Sequence, residues 1–469
     1  MVTGPLLKLV QDQRAAFLRD GPPSRAERLE HLRTLEDAVF AWRKRLYVAV
    51  ESDFGTRPWF KTIGGEVVPT LSYIRWFRRN LRRLMAPGWR PASLHSFLAE
   101  IRIVPQPLGV VGVISSWNYP VMLALMPAAA ALAAGNRVLI KTSEHAPATA
   151  RALAALLGEV FPPERVAVIQ GGPEVGDAFS RLPLDHLFFT GSGAIGRHIV
   201  RAAADRLVPV TLELGGKSPA IVEGERGLEF AAERVAFSKF FNAGQSCVAV
   251  DYVLVPRGLA GRFAERVAHH ARAQYPRIAD SPDYTAIITD RQFQRLEGLL
   301  ADARARGATL LPTHPGEPPE PVARIFPPVL VVGAAPDLAM MQEEIFGPLL
   351  PILEYGTLDE AIDFVNVRPR PLTLHWFGGA AGRKELERRT TSGQLVANDV
   401  LWHFVQEAMP FGGVGESGTG AYHGPEGFFT FSHRKAVFIQ PRWNPTRLVT
   451  PPFPRGGWKD WVLKFFLKF

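Results

Sequence analysis

Between residues 109 and 214, short runs dense in Val, Ile, Leu and Phe alternate with helical segments. This alternation limits the possible folds more than any other feature of the chain. The runs are Gly109–Ser115, Arg137–Lys141, Val166–Gln170, Asp185–Phe189 and Val208–Leu214, and residues 121–134, 147–160, 173–180 and 194–206 separate them. Strands apolar on both faces and joined by helices predict a parallel sheet wound on both sides. Ligands of such sheets bind beyond the carboxyl ends of the strands, so the residues at those ends carry the functional argument.

A second α/β stretch is expected over about 212–410, with strands Asp251–Val255 and Val329–Val332 and helices 228–242 and 258–274. Residues 5–54 have helical periodicity with a break at Gly21-Pro22-Pro23, and the Pro-rich stretch 311–328 predicts a surface loop. A chain of 469 residues exceeds what one hydrophobic core sustains, so two or three domains are expected. The longest apolar run, Val121 to Gly135, contains Pro127 and is too short to span a bilayer; it predicts a buried helix.

Lys and Arg outnumber Asp and Glu by 54 to 45, which raises the question of an anionic partner. The densest basic segment, 72–90, carries Arg75, Arg78, Arg79, Arg82, Arg83 and Arg90 among aromatics and predicts a helix. No recognition module accompanies it, so it reads as a solvated face or subunit contact, and no nucleic-acid partner is expected. The single cysteine, Cys247, allows no intrachain disulfide and no thiolate-rich zinc site, and no metal is expected. Met1 to Asp20 is mixed and amphipathic rather than a charged-then-apolar leader. These features lead to the expectation of a cytoplasmic protein, peripheral to a membrane at most.

Several residues at strand ends suit chemistry, and each also has a plain structural reading. Cys247 closes Phe-Asn-Ala-Gly-Gln-Ser-Cys between a helix and a strand, where a nucleophile or a small buried hydrophobe would both fit. Glu213, in Leu-Glu-Leu-Gly-Gly-Lys, ends an apolar strand as a general base or as a solvated carboxylate. Residues 191–196, Gly-Ser-Gly-Ala-Ile-Gly, match the dinucleotide glycine pattern between a strand and a helix, where amides can hold a pyrophosphate. In the ordinary fingerprint an acidic residue about 20 positions on binds ribose, and Glu213 nearly fits. Yet the pattern here follows the fourth strand of the run instead of the first. Lys141 and Glu144 suit ribose hydroxyls or a surface ion pair, and Asn118 suits an oxyanion or a helix cap. The pair Glu343-Glu344 before Ile345-Phe346-Gly347-Pro348 suits a dyad, a ribose contact or a loop.

Taken in order, these motifs resemble the aldehyde dehydrogenase superfamily over nearly the whole chain. The matching segments are Pro107–Val111 through Trp117-Asn118-Tyr119-Pro120, Lys141–Glu144, Phe189–Ser192, Leu212–Lys217, Gly244–Cys247, Glu343–Pro348 and Pro410–Gly413. Gly415–Gly418, Tyr422-His423-Gly424 and Phe429–Arg434 look like the class-three branch of fatty and aromatic aldehyde dehydrogenases, as does Asp251–Leu254 after the cysteine.

The resemblance implies an α/β fold with a Rossmann-type cofactor domain, an α/β catalytic domain and a β oligomerisation arm. It implies oxidation of an aldehyde, medium- or long-chain aliphatic or aromatic, to the acid with NAD, NADP being tolerated. Cys247 would be the nucleophile, Asn118 an oxyanion donor and Glu213 the base for water, which takes Glu213 away from ribose. Glu344 and Phe346 would hold the nicotinamide riboside with Trp117 nearby, Lys141 and Glu144 the adenosine ribose, and Gly191 and Ser192 the pyrophosphate. Ser246, where Thr is common, and Glu416, where Asn is common, depart from the branch and leave substrate preference open. The expected domains are 1–92 with 108–211 for cofactor, 212–424 for catalysis, an arm of 93–107 with 425–445 implying a homodimer, and a tail of 446–469.

In that tail Trp458, Trp461, Val462, Phe465, Phe466 and Phe469 fall on one helical stripe among lysines, the pattern of a helix lying weakly on a membrane surface or packed on a subunit. Two rivals stay open: an acylating, coenzyme A-dependent dehydrogenase, against which Glu213 argues, and a non-catalytic binding or structural protein on the same fold.

Overall fold

The computed structural model describes residues 3–93, 96, 98–443, 451 and 456–466. The predicted alternation forms a six-stranded sheet ordered Gly418–Thr419, Val210–Leu214, His186–Gly191, Val110–Ile114, Arg137–Lys141, Val166–Ile169. All pairings are parallel except that of Gly418–Thr419, which sets Gly418 opposite Glu213. The helix Pro120–Ala134 is buried at every residue, which explains why its sequence has no polar face. The strand expected to end at Phe189 runs on to Gly191, so Thr190 pairs with Glu213 at the sheet's carboxyl edge.

A seven-stranded sheet follows, ordered Thr309–Pro312, Val329–Val332, Leu349–Tyr355, Tyr252–Pro256, Pro219–Val222, Thr373–Phe377, Gln394–Ala397. Only its edge strand Thr309–Pro312 is antiparallel. The third sheet has three strands, Gly88–Arg90, Glu100–Pro107 and Ser432–Ile439.

Three expectations need correction. The basic helix spans Val68–Met85, and Arg90 lies in a strand, because Ala86 turns extended ahead of Pro87, which cannot continue a helix. Part of the basic charge is spent internally: Arg75 and Arg78 both bind Glu36. The Pro-rich stretch 311–328 is not wholly on the surface. Thr313, His314, Ile325 and Phe326 are buried, with the Thr313 hydroxyl donating to the Pro328 carbonyl at 3.1 Å and His314 Nε2 to that of Tyr275 at 2.6 Å.

The tail forms a helix over Trp458–Phe466 with Trp458 and Trp461 exposed. Phe469, the end of the expected stripe, lies outside the described residues, as do the side chains of Val462, Phe465 and Phe466. No helix among the described residues is long and apolar enough to cross a membrane.

Candidate active site

The carboxyl edge of the six-stranded sheet and the loops that enter the amino ends of the seven-stranded sheet's strands face a cleft of about 590 Å³. Its lining includes Trp117, Asn118, Gly191, Ser192, Glu213, Cys247, Glu344 and Phe346, so most of the residues singled out from sequence converge there. Lys141 and Glu144 do not line it. Lys141 ends the neighbouring strand Arg137–Lys141 and Glu144 follows it, with Lys141 Nζ donating to the Thr142 carbonyl at 2.7 Å and lying 3.7 Å from Glu144.

Cys247 is presented by a tight loop after the helix Leu228–Phe240. Ala243 and Gly244 both take left-handed backbone, with φ of 50° and 76°. This turn lays Gly244 against the Gly347 backbone, so closely that a Cβ on Gly244 would stand 2.1 Å from the Gly347 oxygen. Gln245 locks the loop: its side chain donates to the Ala286 carbonyl at 3.0 Å and accepts the Ile288 N–H at 3.0 Å. Burial pushes the Cys247 thiol up to about 12, and the nearby Glu344 and Glu213 push the same way. The backbone N–H groups of Cys247 and Val248 work in the opposite sense.

Glu213 is buried between Thr190 and Gly418, and neither of its carboxyl oxygens has a hydrogen-bond partner among the described residues. Burial alone raises its carboxyl well above the usual range. The solvated strand-end reading of Glu213 is therefore wrong. The helix-cap reading of Asn118 also fails. Tyr119 occupies the N-cap of Pro120–Ala134, and the Asn118 amide instead donates to the Gln245 carbonyl in the cysteine loop at 3.3 Å.

Glu344 lies against Gly215 and accepts the Gly216 N–H; burial, then Asp251, raise its carboxyl to about 8, against the pull of Lys217 and Arg295. Its loop is anchored by Asp251, which accepts the Ile345 N–H at 2.9 Å and pairs with Lys217. Arg295 adds a bond to the Glu344 carbonyl at 3.3 Å. Phe346 has φ of 46°, and its ring meets Trp117 edge-on at 5.4 Å.

The cleft suits a dinucleotide. Ser192 starts the helix Gly193–Ala204 without a side-chain cap, and Gly191 through Ala194 line the cleft with Arg197, leaving first-turn amides for an anion. Sequence reading missed Arg197, Arg295 and the buried pair Arg57–Glu66. Nothing in spacing marks them: Arg57 and Glu66 are nine residues apart but grip a segment 55 to 61 residues on, and Arg197 and Arg295 reach Glu416 and Glu343, 219 and 48 residues away.

The family model described as the aldehyde dehydrogenase family matches residues 8–437, and the chain belongs to that family. It is an NAD(P)-dependent oxidoreductase that converts aldehydes to acids. Other solved structures with this fold hold nicotinamide adenine dinucleotide. The chain is similar to a probable coniferyl aldehyde dehydrogenase of Pseudomonas aeruginosa, at 47% identity over 97% of this chain and 95% of that protein. It is 37% identical to aldehyde dehydrogenase family 3 member A2 of Pongo abelii, over 98% of this chain and 93% of the other, in keeping with the class-three resemblance. A substrate-bound Staphylococcus aureus AldH superposes with a TM-score of 0.92 at 35% identity, covering 98% of this chain and 99% of the other.

Proposed function

We propose that Cys247 is the nucleophile of this dehydrogenase and Glu213 the base that releases its thioester. The observation that carries this reading is the convergence in one cleft of the only thiol in the chain with a buried carboxyl that has no hydrogen-bond partner among the described residues. The Cys247 thiolate, its proton given up to solvent, attacks the aldehyde carbon through sulfur. The oxygen that becomes negative is held by the second N–H of the Asn118 amide and the Cys247 backbone N–H. An oxidised nicotinamide bound beside this carbon would supply the hydride acceptor. Glu213, once ionised, takes a proton from water, and the water oxygen displaces Cys247 from the acyl carbon. Glu344 and Phe346 would hold the nicotinamide riboside beside Trp117. Gly191 and Ser192 would hold the pyrophosphate, and Lys141 and Glu144 the adenosine ribose. The basic role of Glu213 favours water over coenzyme A as acyl acceptor.

The preferred aldehydes are aliphatic of medium or long chain, or aromatic; the similarity to coniferyl aldehyde dehydrogenases puts conjugated aromatic aldehydes first for testing. The strand Ser432–Ile439 is mostly exposed and forms an open edge of its sheet, which supports a homodimer built through this arm. The exposed Trp458 and Trp461 among lysines support weak contact of the tail with membrane surfaces. Cys247→Ala tests the central assignment. It should abolish aldehyde oxidation and leave NAD binding intact, and substantial residual turnover would refute it.

A further inference from the structure

Arg57 and Glu66 form an ion pair at 2.9 Å with no side-chain exposure on either partner. Taking both charges out of water is costly, and such a pair is a weak source of stability compared with apolar packing. Its geometry points to another use. Arg57 follows the helix Arg25–Phe54, and its guanidinium lies over the rings of Phe54 and Tyr119, 4.6 and 5.0 Å from their centres. Its Nε and Nη2 have no aligned hydrogen-bond partner among the described residues. The directed bond it does make, from Nη1, goes to the Asn118 carbonyl at 2.7 Å.

Glu66 sits in a π-helical turn, Ile63–Val67, a geometry that recurs at functional sites. Its Oε2 accepts the N–H groups of Val121 and Met122 at 2.9 and 3.2 Å, the first turn of the helix that Asn118 precedes. The segment Asn118–Met122 is thus gripped from both sides, its carbonyl by a cation and its amides by an anion. Asn242 Nδ2 reaches the same Asn118 carbonyl at 3.3 Å and the Gln245 carbonyl at 3.1 Å, linking this grip to the cysteine loop.

We propose that Arg57 and Glu66 are positioning residues of the oxyanion site, fixing the Asn118 peptide so that its side-chain amide stands at the Cys247 loop. This rests on the reading of Asn118 as an oxyanion donor, and the test separates the two. The full-length enzyme is assayed for hydrolysis of p-nitrophenyl acetate, which acylates a thiol without hydride transfer, and for alkylation of Cys247 by iodoacetamide, which forms no oxyanion. Arg57→Met should lower ester hydrolysis about 100-fold, in the range lost with one oxyanion donor, while alkylation stays within about twofold. In an Asn118→Ala background the same change should cost less than about twofold, because residues acting as a unit are not additive. If Arg57→Met does not fold, Arg57→Lys, which keeps the charge and a donor, takes its place in the cycle with a smaller loss expected. Equal losses in both backgrounds, or a matching fall in alkylation, overturn the positioning role. An Asn118→Ala enzyme with undiminished ester hydrolysis overturns the oxyanion reading itself.

Discussion

Gly244→Ala tests whether the cysteine loop is shaped by its contact with the Phe346-Gly347 backbone. Gly244 sits at φ 76°, and an added Cβ would stand 2.1 Å from the Gly347 oxygen, 2.4 Å from its carbonyl carbon and 3.0 Å from its Cα. A left-handed backbone costs a non-glycine residue about 1–2 kcal/mol. Overpacking adds about 1–3 kcal/mol, and here the obstacle is main chain that cannot rotate away. The sum is about 2–5 kcal/mol, relieved only by moving one loop off the other by about 1 Å. A displacement of about 1 Å at reacting groups costs on the order of 100-fold in rate. We therefore expect Gly244→Ala to fold, melt lower and lose about 100-fold in kcat/KM for aldehyde oxidation. Gly298→Ala is the control: it lies in the helix Asp290–Ala305 with nothing within 4 Å of its added Cβ, so it should gain about 0.5–1 kcal/mol and keep full activity. A Gly244→Ala enzyme that retains most of its activity and its melting temperature would refute the reasoning.

Glu213→Gln should slow deacylation more than acylation, so mass spectrometry after mixing with aldehyde and NAD should find an acyl adduct on Cys247; absence of the adduct would give Glu213 another role. Because burial raises this carboxyl, thioester hydrolysis should increase with pH until Glu213 ionises. The sign for stability is opposite: the folded state holds the proton more tightly than the unfolded chain, so this group lowers stability as pH rises from its unfolded value toward its raised folded one. Glu213→Gln should therefore stabilise the protein at neutral pH relative to acid pH in thermal melts. Glu144 should favour NAD over NADP by repelling a 2′-phosphate, and Glu144→Gln should narrow the ratio of kcat/KM values; a wild-type preference for NADP would contradict this placement. Deleting residues 457–469 should lower activity on long aldehydes more than on short ones and reduce binding to anionic liposomes; unchanged behaviour in both assays would leave the tail a packing element.

Much of the frame was legible in the order of the chain, because strand and helix periodicities are local. The five runs from Gly109 to Leu214 became the parallel strands of one sheet, and the apolar stretch after Pro120 became a fully buried helix. Motif order was enough to nominate Cys247, Glu213 and Asn118; Asn118 and Glu213 share an edge because both lie at carboxyl ends of strands in one parallel sheet, whereas Cys247 precedes its strand and reaches them only through tertiary packing. Sequence could not choose between their plain and chemical readings. That choice depends on solvent: Glu213 is a desolvated carboxyl because packing buries it, with Thr190 and Gly418 on the flanking strands and Tyr422 nearby, all of them distant in sequence. Likewise Gly88–Arg90 is a strand only because Glu100–Pro107 supplies its partner. Arg57 and Glu66 carried no signal at all, since a charge spaced tens of residues from what it holds looks like any surface charge. Local pattern decided which elements exist and which strand ends bear chemistry. Burial, which belongs to the packed chain as a whole, decided which of those groups lost their water and found, or lacked, a partner.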